Sequence, residues 1–348
     1  LEYSKKGYLY SLDYLRGFAA LAVSLYHFVG KANYLPEGNI LQKVTDYGHF
    51  GVEIFFVISG LVIPYSMEKG NYTIDKFFTF LKKRFIRIEP PYLICVVLVL
   101  ILNYITTITP FYVGEKFKID YLQVFYHLGY LNAFMGMDWL NQVFWTLAVE
   151  FQYYLLIALI FPAISSKNPF IWITSLVIFN FVSSSPDRNL VFNFSIFFTA
   201  GILVFRFLCD KLTTKAFFLA MLCTLAFTFN RYGITEVLVI LLTTIVILSR
   251  LKPTVWSTFF GDISYSLYLL HLPVGLRIIS LTQRFSENEA FRYAMILGAL
   301  LISIAASYLY YRLVEKPFKT MSQKISYSTK PANQPTETST IQKETESL

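Results

Sequence analysis

The sequence predicts an all-α protein, a polytopic transmembrane helical bundle of about ten spans with both termini on the cytoplasmic side. Three observations carry that expectation. The 348 residues are 55% apolar and 15% charged, with 34 Phe and 25 Tyr, a balance too hydrophobic for an ordinary soluble domain. Apolar runs of membrane-crossing length recur from one end of the chain to the other. The basic residues behind the net charge of +8 gather at the ends of those runs. That placement sets topology in membrane proteins, so the charge argues for lipid surroundings and against nucleic acid as a partner.

The expected spans are residues 12–30, 47–67, 88–108, 144–164, 169–184, 190–208, 216–230, 233–250, 259–280 and 292–314. With the N-terminus inside, Lys69, Lys76, Lys82, Lys83, Arg84 and Arg87 fall on the cytoplasmic side. Arg206, Lys211, Lys215, Arg250, Lys252, Lys316, Lys319 and Lys324 fall there too, while the other side keeps scattered charges such as Lys31, Lys43, Arg188 and Arg231. Residues 109–143 interrupt the series: "YLQVFYHLGYLNAFMGMDWL" is aromatic but too polar to span, and is expected outside as an amphipathic or re-entrant element. Residues 1–318 read as one membrane domain and 319–348, rich in Ser, Thr and Lys, as a disordered polar cytoplasmic tail. The first apolar segment carries Arg16 and lacks a small-residue cleavage site, so it is expected to stay as a span. Cys95, Cys209 and Cys223 show no CxxC spacing and read as packing residues, with neither a disulfide nor a metal site implied.

The spans carry ionisable residues that a bilayer core disfavours. In "LDYLRGFAALAVSLYHF", the eleven residues from Arg16 to His27 turn about 1100° and rise about 16 Å on an α-helix. The two side chains therefore share a face about half a hydrocarbon core apart. Asp13, one turn before Arg16, is spaced to neutralise it. Gly17, Ala20, Ser24 and His27 form a small-residue stripe, so His27 faces protein, either as a hydrogen-bonded packing residue or as a functional base. Glu53 lies in the outer third of the second span and Glu150 in that of the fourth, accompanied by Trp145, Tyr153 and Tyr154. A carboxylate beside a histidine fixes its tautomer and raises its basicity, although each Glu also reads as a helix–helix hydrogen bond. Arg84 and Arg87, three apart on the inner side, suit phosphate oxygens or simply set topology; Arg16 at the same level favours an anion site. Tyr268 and His271 fall near mid-membrane on adjacent turns of the ninth span. Arg312 and Glu315 read as an interfacial ion pair ahead of Pro317. The GxSxG elbow, Walker loop, HExxH and GxGxxG signatures are missing.

Six phrases follow in order from residue 12 to 318: "LDYLRGFAALAVSLYH", "FGVEIFFVISGLVI", "RFIRIEPPY", "FWTLAVEFQYYL", "GDISYSLYLLHLP" and "VEKPF". Together they resemble the acyltransferase-3 family of integral membrane acyltransferases. The resemblance implies an enzyme of the bacterial cytoplasmic (inner) membrane that moves an acetyl or other short acyl group from cytoplasmic acyl-CoA to a carbohydrate hydroxyl. Acetyl-CoA or another short acyl-CoA would be the donor, and an O-antigen, exopolysaccharide or lipid-linked sugar the acceptor, with no metal. The family's arginine–ten residues–histidine motif falls on Arg16 and His27, with the histidine catalytic, and its paired arginines fall on Arg84 and Arg87, associated with the donor. His27 would then be oriented by Glu150 or Glu53, with Trp145, Tyr268 and His271 binding substrate or supporting the site. The doubled proline of "RIEPPY" is a small departure. Many members carry an extra extracytoplasmic hydrolase-like domain that these residues do not contain, so a stand-alone enzyme is expected. Acylation of a small-molecule hydroxyl and proton-coupled transport remain the alternative readings.

Overall fold

Every expected span is helical over its described residues in the computed structural model, which describes residues 9–109, 115–181, 190–249 and 251–326. α1 (Ser11–Leu25) runs into a π-helical turn (Tyr26–Gly30), and α2 (Ile40–Asp46) leads through a 3-10 turn into α3 (Gly51–Lys69). α4 (Phe77–Ile108) and the short α5 (Tyr121–His127) precede α6 (Phe144–Ile164), α7 (Pro169–Phe181), α8 (Ser195–Leu208), α9 (Thr214–Arg231) and α10 (Ile234–Leu248). α11 (Val255–Leu270) passes through a second π turn (His271–Leu276) into α12 (Arg277–Thr282). α13 (Glu289–Tyr310) passes through a third (Tyr311–Glu315) into α14 (Lys316–Gln323).

Six stretches are long and apolar enough to cross a membrane: Ile40–Lys69, Ile74–Ile108, Phe144–Ile164, Val191–Leu208, Val255–Thr282 and Glu289–Gln323. α7 and α10 are apolar but shorter, and the helices at the other two expected spans, α1 and α9, are not among these membrane-length stretches. The terminal helix continues to Gln323, inside the stretch expected to be a tail; residues 327–348 of that stretch lie outside the described residues, as do Arg188 and Arg250.

Two close helix pairs organise the bundle. On α3 and α8, Gly60 and Gly201 let the backbones meet: a Cβ on Gly60 would collide with the Phe198 carbonyl, and one on Gly201 with the Val57 carbonyl. α1 and α11 run in the same direction, since Asp13 packs on Gly261 and Phe28 on Gly275. A Cβ on Gly17 would stand 2.6 Å from that of Phe260. These contacts carry the α1 face that holds Arg16 and His27 toward protein.

Residues 115–143 neither cross nor lie flat on the surface. Arg277, beyond the second π turn, donates to the Thr106 hydroxyl near the end of α4 at 2.5 Å, and Gln142 lies near His27 at the end of α1. The segment thus starts and finishes at one end of the bundle and dips between α4 and α6. His127 and Asn132 are fully buried there, and the Tyr130 ring stacks on Tyr92 at 4.7 Å. Local bonds take up His127 and the Asn132 amide donor: the Leu140 N–H donates to His127 Nε2 at 3.3 Å, and Asn132 Nδ2 donates to the Gln123 and Asp138 carbonyls at 3.3 Å each, while Asn132 Oδ1 has no partner among the described residues.

Candidate active site

The end of the bundle where α1 begins opens into a cavity of about 490 Å³. Its cations come from three helices: Arg16 from α1, Arg84 and Arg87 from α4, and Lys319 from α14. Arg84 is buried, donates to Ser66 Oγ on α3 at 2.6 Å, and has its guanidinium 5.6 and 5.8 Å from the Phe80 and Tyr154 rings. Arg16 and Arg87 have no hydrogen-bond or ion-pair partner among the described residues. Three carboxylates share the walls, each with its own partner. Glu150 accepts from Ser59 at 3.0 Å and from the Tyr154 hydroxyl at 2.6 Å, Glu315 accepts from Ser266 at 2.6 Å, and Asp262 pairs with Lys319 at 3.0 Å.

Two expected ion pairs are not formed. Glu315 turns inward through the third π turn to Ser266, while Arg312 donates to the Tyr308 hydroxyl at 3.1 Å. Asp13 is buried against Gly261 on α11, which directs it away from a pair with Arg16; among the described residues the ion pairs are Glu68–Lys211 and Asp262–Lys319.

The opposite end, where α1 finishes, holds a cavity of about 810 Å³. His27, Glu53, Trp145 and Tyr268 line it, with Lys31, Asn193, Tyr232 and Glu236 toward the same space. His27 sits inside the first π turn, closed by the Lys31 N–H donating to the Tyr26 carbonyl at 2.8 Å. His271 opens the second π turn, and the two imidazole ring centres are 5.2 Å apart. Such turns arise mostly at functional positions, because they break regular helix register locally. His271 Nδ1 lies 2.8 Å from the Tyr268 carbonyl, and a carbonyl only accepts, so Nδ1 carries the hydrogen. Nε2 is left as a buried acceptor with no partner. Glu53 Oε2 is likewise buried without one. Of the two carboxylates expected beside His27, Glu53 shares its cavity, whereas Glu150 lies in the arginine cavity, because α6 turns it toward Ser59.

The two cavities meet at Val52 and Tyr268, which line both. Thr146 donates to the Val143 carbonyl at 2.8 Å, so the Tyr268 hydroxyl, 2.7 Å from Thr146 Oγ1, is the donor of that pair. Of the residues singled out from sequence, Arg16, Arg84 and Arg87 line the first cavity and His27 the second; Asp262, Lys319 and the inward turn of Glu315 were not singled out. The spacing of Glu315 and Lys319, four apart on a helix, was the available signal.

Membrane-length helices gathered round two cavities with ionisable walls define a multi-pass membrane protein with an enzyme-like interior. Residues 9–312 match the acyltransferase-3 family model, described as an acyltransferase domain, and the chain belongs to that family. O-acetyltransferase OatA of Staphylococcus aureus (strain NCTC 8325 / PS 47) is 31% identical over 164 residues, 44% of this chain and 24% of the relative. The acyltransferase MdmB of Streptomyces mycarofaciens is 35% identical over 86 residues, 24% of this chain and 21% of MdmB. The putative acetyltransferase ORF330 of Acidianus two-tailed virus is 26% identical over 298 residues, 77% of this chain and 84% of the relative. The match to OatA thus spans under a quarter of that protein's length. No solved structure matches the chain.

Proposed function

We propose that the chain is a membrane O-acyltransferase that moves an acetyl or other short acyl group from cytoplasmic acyl-CoA to a hydroxyl of an extracytoplasmic or lipid-linked carbohydrate. In this reading it crosses a bacterial cytoplasmic membrane ten times, with both termini inside. The observation that carries the reading is the meeting of two cavities, from opposite ends of the bundle, at Val52 and Tyr268. One presents cations suited to the donor's phosphates, and the other holds His27.

Arg16, Arg84 and Arg87 hold the phosphates. The pantetheine arm runs inward and brings the thioester to the junction at Tyr268. His27 takes the proton of the acceptor hydroxyl as that oxygen attacks the thioester carbonyl; the C–S bond breaks, and His27 returns the proton to the departing CoA sulfur. His271 takes the positioning role first given to Glu150: its Nε2, without a partner in the resting structure and beside the His27 ring, accepts an N–H once that ring turns toward it and leaves the other His27 nitrogen to act as base. Trp145 and Tyr232, among the polar groups of the larger cavity, suit the mixed apolar and hydroxyl faces of a sugar.

The test supplies inverted native membrane vesicles with acetyl-labelled CoA and compares wild type with a folded His27→Ala variant. Label enters glycan in the wild type and falls by about 10²–10⁴-fold in the variant. Equal label in both would make His27 a packing residue. Label confined to low-mass product would mean a small-molecule acceptor. No label together with no free CoA would mean another donor, or transport.

A further inference from the structure

We propose that Lys319 is the fourth cation of the donor site and reads the 3′-phosphate of coenzyme A, exchanging Asp262 for that phosphate when the donor binds. The inference rests on the acyl-CoA reading above. Lys319 lies past the residues matched by the family model, on a helix that the sequence alone assigned to a tail, yet it lines the same cavity as the three arginines.

The cavity has a direction. Its inner end is closed by Thr146 and Tyr268, both buried, next to the space that holds His27. At the other end stand Lys319 and Asp262, whose side chains are 25% and 41% exposed. A donor whose thioester reaches the inner end leaves its far end, the adenosine with its 3′-phosphate, at the mouth. Buried Arg84 lines the same cavity as a further cation for the diphosphate. Lys319 is held ready there: its ammonium is 3.0 Å from Asp262 Oδ1 and 5.7 Å from the centre of the Tyr311 ring. An ion pair this exposed is weak. A phosphate brings more charge and more acceptor oxygens than the carboxylate it displaces, so the exchange is downhill.

The test measures apparent KM for acetyl-CoA and for 3′-dephospho-acetyl-CoA in vesicles carrying the full chain. Wild type favours acetyl-CoA by about tenfold, the scale of one charge-assisted contact in a part-exposed site. Lys319→Ala brings the two KM values together, with the change carried by KM rather than kcat, and Lys319→Arg restores the preference. Asp262→Asn breaks the resting pair but keeps the cation, so it retains the preference and lowers KM for acetyl-CoA. A preference that persists in Lys319→Ala, or one lost equally in Asp262→Asn, would overturn the proposal. Wild type that uses neither thioester would instead overturn the donor reading on which it rests.

Discussion

The two cavities differ in how their charges are left. In the arginine cavity Glu150, Glu315, Asp262 and Arg84 are each tied to a named neighbour, and only Arg16 and Arg87 stand without a partner among the described residues. At the His27 end, Glu53 Oε2 in the cavity wall and His271 Nε2 beside the His27 ring are buried and bare. Leaving a buried polar atom unsatisfied costs about 1–3 kcal/mol, so two so close to His27 mark a place where hydrogen bonds are expected from something that arrives. One cavity gathers cations for an anion, and the other end keeps lone pairs open where a proton changes hands.

Substitutions at three positions break or sharpen that contrast. Arg84→Ala has the largest effect, raising KM for acetyl-CoA by about 10- to 100-fold, because it removes a buried, pre-positioned cation. An unmoved KM in a donor titration would end the anion-site account. His271→Ala comes next: transfer slows by about tenfold with little change in donor KM, and the pH–rate profile moves because His27 loses its acceptor. His271→Gln, whose amide oxygen can accept, recovers part of the rate. Glu150→Gln has the smallest effect, about twofold, since the amide oxygen still accepts from Ser59 and Tyr154. If its pH–rate profile moved as that of His271→Ala does, Glu150 would belong with His27 and the separation of the cavities would fail.

Helical arithmetic exposed the shared face of Arg16 and His27 because α1 is regular until Leu25. Depth along a span was also legible, and it correctly put Glu53 and His27 at one end. What depth does not give is rotation about the helix axis. Glu150 was assigned by depth, but the partners that aim it, Ser59 and Tyr154, belong partly to another helix. The three π turns leave no compositional mark, so the inward swing of Glu315 was hidden behind an ordinary Arg312 spacing. His127 and Asn132 made residues 109–143 look wet because carbonyls and an amide N–H near in sequence, which no hydropathy pattern shows, bond the His127 ring and the Asn132 amide donor in the interior. Lys319 was lost to a polar tail for the opposite reason: α14 buries little beyond Ser322, so its apolar signal is faint.

The π turn at Tyr26–Gly30 makes chain length itself part of the site. Its bond from the Lys31 N–H to the Tyr26 carbonyl spans five residues where an α-helix spans four. Losing a single codon for Phe28, Val29 or Gly30 would keep every ionisable residue of both cavities encoded. The turn would tighten to α, and His27 would lose the widened turn that sets it, while the chain beyond kept nearly its direction. Such a gene would still carry all the letters of the site and would no longer spell it.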